Sequence, residues 1–348
     1  MPAAALLSVK NLRVSFKTSN GVFEAVRGVS FGLHRGDALG IVGESGSGKT
    51  VTATSILRLL PENGFITGGE ITFDGIDLAG AGIKLLRRVR GDRISMIFQD
   101  PMSSLNPLIP VGAQIGEIIA EHRKGLSRAE VREEAVRLLG LVRIPEPQRR
   151  YRAYPHELSG GMRQRVMIAI AIACGPDVLI ADEPTTALDV TIQEQILKLL
   201  KTLRDDLEMS VMFITHDLGV VAELCTRVIV MYGGLIMEEG GADDIFENPS
   251  HPYTVGLLKS IPNLAADKSR DLVSIPGSPP DMAHPPKGCP FAPRCGHARN
   301  VCGGYAPPMF DAGDSHADSC SHRSACWLLA PGAPANPYKK GEKRGEKR

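Results

Sequence analysis

Eight consecutive residues, Gly43-Glu44-Ser45-Gly46-Ser47-Gly48-Lys49-Thr50, restrict what this chain can be more than any others. They fit G-x-x-x-x-G-K-[ST], with the apolar run Ala38-Leu39-Gly40-Ile41-Val42 leading in and the helix-compatible stretch Val51 to Leu57 leading out. A strand, a glycine-rich loop and a helix in that order build an anion trap. The glycines let successive backbone N–H groups of Ser45, Gly46, Ser47 and Gly48 turn inward, and the helix adds its positive end. Lys49 supplies a point charge for β- and γ-phosphates, and the Thr50 hydroxyl is a ligand for Mg²⁺. The stretch reads as a nucleotide-binding loop.

A second acidic element follows much later. Val178-Leu179-Ile180-Ala181-Asp182-Glu183 is an apolar strand ending in two carboxylates. Such a strand beside a phosphate loop is the Walker-B arrangement: Asp182 is expected to hold Mg²⁺ through water, and Glu183 to polarise an attacking water.

Composition sets the surroundings. With 348 residues the chain has room for one large domain and an appendage. Lys and Arg total 40 against 39 Asp and Glu, so the basic excess typical of nucleic-acid binders is lacking. The longest apolar run, Val166 to Cys174, falls far short of the roughly 18 residues of a membrane span. The start Met1-Pro2-Ala3-Ala4-Ala5 lacks the charged and apolar regions of a signal peptide. A cytosolic chain is therefore expected, with any membrane spans supplied by partners. Of seven cysteines, five fall within Cys289–Cys326, and in a reducing cytosol such a group more often binds metal than forms disulfides.

Periodicity orders the rest. Residues 7–16 and 24–33 alternate as strands of an antiparallel flap, residues 69–75 form a strand closing on a turn, and 93–98 form a buried strand. From Val111 to about Gly140 the period is helical, with Ser127 and Glu130 spaced as a capping box. Residues 101–160 read as a helical insertion into an α/β core. Helix returns at 162–173, and the core resumes with strand 177–181, helix 190–207, strand 211–215 and helix 218–224. Gly233-Gly234 marks a two-residue hairpin. After about Gly241 the chain turns proline-rich and irregular, and 331–348, carrying Gly-Glu-Lys-Arg twice, reads as a disordered tail.

Leu158-Ser159-Gly160-Gly161 precedes a helix, and here the sequence resembles the ATP-binding-cassette (ABC) ATPases, whose signature is L-S-G-G-Q. Met162 stands where that family usually has Gln. The resemblance covers residues 7 to about 240 and implies a P-loop cassette: a RecA-like α/β core, an antiparallel β flap and a helical insertion. It implies roles for further residues. Gln99 resembles the Q-loop glutamine that senses γ-phosphate and Mg²⁺. Ala187-Leu188-Asp189 resembles the D-loop, and His216 the switch histidine at the γ-phosphate. Phe16 sits where the family stacks an aromatic on adenine, with Phe23 as the competing candidate. Because such cassettes close head to tail, the resemblance implies that Ser159, Gly160 and Gly161 of one subunit seal ATP against the phosphate loop of another.

Other strings resemble the peptide/nickel importer group of that family: residues 98–107, Asn248-Pro249-Ser250-His251-Pro252-Tyr253-Thr254, and Ile275-Pro276-Gly277-Ser278-Pro279-Pro280. About 110 residues separate Thr50 from Leu158, too few for the coiled coils of chromosome-type members, and a single cassette argues against translation-type members. These nucleic-acid and ribosome readings are set aside. The cysteines match neither common zinc nor ferredoxin spacings, so spacing leaves the metal open. The resemblance points to a [4Fe–4S] cluster on Cys289, Cys295, Cys302 and Cys326, with Cys320 in reserve and Zn²⁺ as the alternative.

Taken whole, the expectation is an ABC cassette at 1–245, a small irregular Cys-rich C-terminal extension at 246–330, and a tail at 331–348. The resemblance implies an ATPase of a bacterial di-/oligopeptide importer, using ATP and Mg²⁺, with nickel chelates or glutathione as alternative cargo. Its implied partners are a second, homologous but non-identical ATPase subunit, two transmembrane permease subunits and an extracytoplasmic peptide-binding protein. It would sit at the cytoplasmic face of the inner membrane, bound through the permeases, with no nucleic-acid partner.

Overall fold

The computed structural model describes residues 5–19, 21–99, 104–186, 188–260, 274–313, 321–333 and 336–338. Two sheets organise them. The smaller runs β2 (Gly21–Leu33), β1 (Leu7–Thr18), β4 (Gly64–Phe73) and β5 (Ile76–Asp77), and it is antiparallel throughout. The larger has eight strands in the order β11 (Phe310–Gly313), β12 (His322–Ser324), β10 (Leu235–Gly241), β9 (Arg227–Tyr232), β3 (Ala38–Val42), β8 (Ser210–Thr215), β7 (Val178–Asp182) and β6 (Ile94–Ile97). From β9 to β6 the pairing is parallel; from β9 outward to β11 it is antiparallel.

The sequence of the parallel strands follows from burial on both faces. Leu39, Ile41, Val178, Ile180, Met212 and Ile214 point into one apolar layer, which the flap sheet closes. Their neighbours Val42, Leu179, Ala181, Val211 and Phe213 point into the other, shared with the helical insertion. Each fully buried side chain of this kind contributes roughly 1.5–3 kcal/mol of transfer free energy. The two sheets are also tied electrostatically. Arg93 bridges Asp74 of the flap turn (2.8 Å) and Asp177 before β7 (2.7 Å), and Arg35 reaches Asp177 at 3.0 Å.

Helices fill the crossovers: α1 (Lys49–Ile56), α2 (Ile83–Val89), α3 (Val111–His122), α4 (Arg128–Leu141), α5 (Gly160–Ala171), α6 (Val190–Asp206), α7 (Leu218–Leu224), α8 (Ala242–Glu247) and α9 (Pro252–Lys259). In the insertion, Ile115, Ile119, Ala135, Leu138 and Leu139 are buried, and Ser127 and Glu130 form the expected reciprocal cap of α4. Residues 101–103 lie outside the described residues. Gly233 and Gly234 both have positive φ (54° and 77°) and turn β9 into β10. Among the described residues no helix is long and apolar enough to cross a membrane.

The chain beyond Gly241 departs from the irregular segment expected. It forms α8 and α9, and β12 then pairs with β10 through Glu238↔Ser324 and Glu239↔Arg323, extending the core sheet. Residue 245 lies inside α8. Three-residue strands carry too little pattern to read from sequence; their pairing is set by a buried acid. Glu238 accepts hydrogen bonds from the backbone N–H groups of Ser250 (2.6 Å) and His251 (3.0 Å), which precede α9, and meets His322 Nε2 at 2.8 Å. In the tail, the Asn336 side chain donates to the Ser250 carbonyl at 3.0 Å and is buried, while residues 334–335 and 339–348 lie outside the described residues.

Candidate active site

The phosphate loop leaves the carboxyl end of β3, flanked by β8 and β9, where an open parallel sheet places its ligands. Its first glycine is obligatory. Gly43 has φ 150°, and a Cβ there would lie 2.1 Å from the Met231 carbonyl oxygen. Gly48, at φ 97°, turns the chain into α1, and its added Cβ would meet the Ala25 carbonyl oxygen at 2.9 Å. The Lys49 ammonium folds over the loop it follows, donating to the carbonyls of Gly43 (2.7 Å) and Glu44 (2.9 Å). Burial lowers its pKa, against the pull of Glu183, Asp182 and Glu44.

The acids arrive from β7, two strands away. The Thr50 hydroxyl donates to Asp182 Oδ1 at 3.1 Å, so the two expected Mg²⁺ ligands are adjacent. Burial pushes the Asp182 carboxyl up to about 6, with Glu183 adding to the effect and the Thr50 bond and Lys49 opposing it. The Thr50 hydroxyl and the buried Asp182 carboxyl are two hard oxygen donors that fit Mg²⁺, whose charge would compensate Asp182 on ionisation.

Glu183 sits at φ 47°, a left-handed conformation costing on the order of 1 kcal/mol or more for a non-glycine residue. Its backbone N–H is held by the Ile214 carbonyl of β8 at 2.8 Å. Three side chains converge on its carboxylate: Gln99 Nε2 (2.8 Å) and the Thr186 hydroxyl (2.8 Å) on Oε2, and His216 Nδ1 (3.1 Å) on Oε1. Burial works against its charge, but the Thr186 and His216 bonds outweigh it and hold the group below the usual glutamate range. Gln99, Glu183 and His216, chosen from three distant parts of the sequence, thus form one contact group. Thr186 was missed; its signal was a hydroxyl three residues beyond the acid, within reach once the chain turns.

The signature lies elsewhere. Ser159 caps α5, accepting from the Met162 N–H at 3.4 Å, so the helix begins at Gly160, two residues before the expected start. Gly160 and Gly161 face Leu188 and Ile192, and a Cβ on Gly161 would come within 2.7 Å of Ile192 Cγ2. Asp189 caps α6 through the Ile192 N–H at 3.0 Å; Ala187 lies outside the described residues, as do Asp100 to Ser103. Phe16 stacks on Phe23 with ring centroids 5.5 Å apart.

The cysteine region touches the same loop. Cys289, Cys295, Cys302 and Cys326 line one small cavity with His251 and Phe291. Burial raises the thiol of Cys289 to about 11 and that of Cys326 to about 12, and lowers His251 to about 3. Among the described residues, however, no group of three or more His, Cys, Asp or Glu side chains has the arrangement to hold a metal ion. The expected cluster is therefore not borne out by the geometry: the thiols share a cavity without closing on a point. Cys320 lies outside the described residues.

Comparison with known proteins agrees with this architecture. A family model described as ABC transporter matches residues 26–186, and one described as oligopeptide/dipeptide transporter, C-terminal region, matches 237–302. The oligopeptide transport ATP-binding protein OppD of Bacillus subtilis (strain 168) is 52% identical, over 94% of this chain and 90% of that relative. The dipeptide transport ATP-binding protein DppD of the same organism is 52% identical, over 90% of this chain and 94% of that relative. A solved dimeric ATP-binding cassette, MJ0796, in a post-hydrolysis state with ADP and Pi, superposes with TM-score 0.61 at 31% identity, over 68% of this chain and 98% of that one. With a phosphate loop, paired acids and signature so arranged, and with such relatives along most of its length, the chain belongs to the ABC transporter ATPases, in the oligopeptide/dipeptide transport ATP-binding branch.

Proposed function

We propose that this chain is the ATP-hydrolysing subunit of a bacterial ABC importer for short peptides. The observation that carries the reading is that likeness to peptide-transport subunits continues past the cassette through the C-terminal region. The reaction is in-line attack of water on the γ-phosphate of ATP. Thr50 and Asp182 would hold Mg²⁺, which when bound would neutralise charge at the phosphates. The backbone of Ser45 to Gly48 and the Lys49 ammonium cradle the phosphates, Lys49 exchanging its bonds to Gly43 and Glu44 for phosphate oxygens. Glu183, ionised at neutral pH, orients and polarises the water, giving up the Gln99 or Thr186 bond to receive it. His216 and Gln99 then hold the γ-phosphate.

The signature packs on Leu188 and Ile192 while Ser159 and Gly160 stay exposed to a partner, which supports a composite site. Ser159, Gly160 and Gly161 of one cassette complete the loop of a second, homologous ATPase subunit, and ATP is the contact that closes the pair. Two permease subunits and an extracytoplasmic binding protein complete the importer, and the chain works at the cytoplasmic face of the membrane. In this reading Phe16, rather than its stacking neighbour Phe23, is the aromatic that meets adenine.

Although the thiols do not close on a single point, we carry forward a [4Fe–4S] cluster as the proposal for the cysteine cavity. A zinc tetrahedron with bonds of about 2.3 Å needs its sulfurs within about 4 Å of one another, whereas a four-iron cluster spreads its thiolates wider. Cys289 and Cys326, which are buried, and Cys295 and Cys302, which are half-buried, line one cavity, and that shared lining is what supports a cluster. Anaerobically prepared protein is expected to be brown and to carry iron; colourless protein containing zinc overturns this.

The test of the whole is reconstitution with the permeases in vesicles. ATPase activity should rise on adding binding protein loaded with a di- or oligopeptide. Stimulation by a nickel chelate or glutathione, with none by peptides, would contradict peptide import.

A further inference from the structure

One side chain joins the cysteine region to the phosphate loop. Arg294, immediately before Cys295, has a side chain only 6% exposed and uses every guanidinium N–H. Nη1 donates to Glu44 Oε2 (2.7 Å) and to the Tyr232 hydroxyl (3.0 Å); Nη2 donates to Glu44 Oε1 (3.1 Å) and the Ile275 carbonyl (3.2 Å); Nε donates to the Pro276 carbonyl (2.8 Å). Glu44 is the second residue of the loop that cradles phosphate. Its backbone N–H is held as well, donating to the Tyr253 hydroxyl at 2.9 Å.

The other end of this linkage is the thiol cavity. Arg294 lies in the turn Ala292–Arg294, bounded by Cys289 and Cys295. Phe291, which lines the cavity with those cysteines, meets Tyr232 edge-on at 5.5 Å and Tyr253 at 5.3 Å. Whatever fixes Cys289 and Cys295 thereby fixes the guanidinium between them. A two-pronged arginine–carboxylate pair specifies direction as well as distance, so a shift of this turn moves Glu44 with it.

We propose that Arg294 is a positioning residue for the phosphate loop, through which the state of the cysteine cavity and nucleotide affinity are coupled. The coupling deepens the metal reading given above but rests on the thiol cavity rather than on which metal fills it. It is reciprocal: a group bound among the thiols sets the loop for phosphate, and nucleotide in turn steadies the thiols.

The experiment uses the full chain as purified, with whatever metal it carries, and Mg·ADP as the probe. Arg294→Met should weaken ADP binding about tenfold, Glu44→Gln less, and the double variant no more than Arg294→Met alone. Arg294→Lys, which keeps the charge but loses the fork, should recover only part. In the wild type, ADP should slow alkylation of Cys295 by iodoacetamide about fivefold, read by mass spectrometry; in Arg294→Met and in Glu44→Gln that protection should vanish. Additive effects in the double variant, or equal protection by ADP in all forms, would overturn the proposal. Should Arg294→Met fail to fold, Glu44→Gln carries the protection measurement alone. Iron analysis of the same samples judges the cluster separately, so the two readings fail independently.

Discussion

The phosphate-loop half of the large sheet and its C-terminal half share one hydrogen-bonded ladder but solve opposite problems. In the parallel half, β3, β7 and β8 are buried on both faces and deliver Lys49, Asp182, Glu183 and His216 at their carboxyl ends. Polar groups there are left in strained or reactive settings: Glu183 at positive φ, Asp182 with a raised pKa. In the antiparallel half, two buried polar groups are densely bonded: Glu238 has three partners and Arg294 five bonds. The difference teaches where chemistry and where position reside. One half keeps exchangeable bonds for a ligand, and the other spends its polar groups on holding the first in place.

Substitutions should separate the halves, beginning with the largest effect. Glu183→Gln is expected to lower ATP turnover at least 100-fold while leaving nucleotide affinity and melting temperature near wild type, measured by steady-state hydrolysis and thermal unfolding. A comparable loss of stability would erase the contrast. Glu238→Ala should do the reverse. It leaves the Ser250 and His251 N–H groups and His322 without their buried acceptor, at a cost of about 3 kcal/mol, read by denaturant unfolding. Lost turnover with unchanged stability would show that the C-terminal half does chemistry after all.

A smaller effect concerns Asp182. If Mg²⁺ binds through this carboxylate as proposed, then, because burial raises its pKa to about 6, below that pH a proton must leave before the metal binds. Affinity for Mg·ADP should therefore weaken about tenfold per unit as pH falls below 6 and level off above it. Calorimetry in buffers of different ionisation enthalpy should record proton release on binding near pH 6; none would place the titrating group elsewhere. The smallest effect is at the flap: Phe16→Ala should weaken ADP binding about fivefold, and Phe23→Ala much less, by fluorescence titration. The opposite order would move adenine to Phe23.

The two halves also differed in how far the sequence revealed them. The phosphate loop, the Asp182-Glu183 pair, Gln99 and His216 were legible because each is a local string with its own strand, and a shared nucleotide demands that they meet. The hairpin at Gly233-Gly234 and the Ser127 cap were legible for the same reason: turn and cap chemistry are decided within four residues. The C-terminal half was not. Strands β11 and β12 are only three or four residues long, and β12 is tied to Glu238, some 84 residues earlier in the chain, through His322. Arg294 and Tyr253 stood within strings already noticed, yet nothing local says that they grip Glu44. Long-range saturation of buried polar groups leaves no periodic trace.

The central claim is that ATP is sealed by two chains, and the most direct measurement is a cryo-electron-microscopy structure of the assembled importer carrying Glu183→Gln, trapped with Mg·ATP. The account predicts a nucleotide whose phosphates touch Lys49 of this chain and the signature of the second ATPase subunit, with Ser159 of this chain on the other nucleotide. Nucleotide enclosed by residues of a single chain, with Ser159 remote from any phosphate, would contradict it.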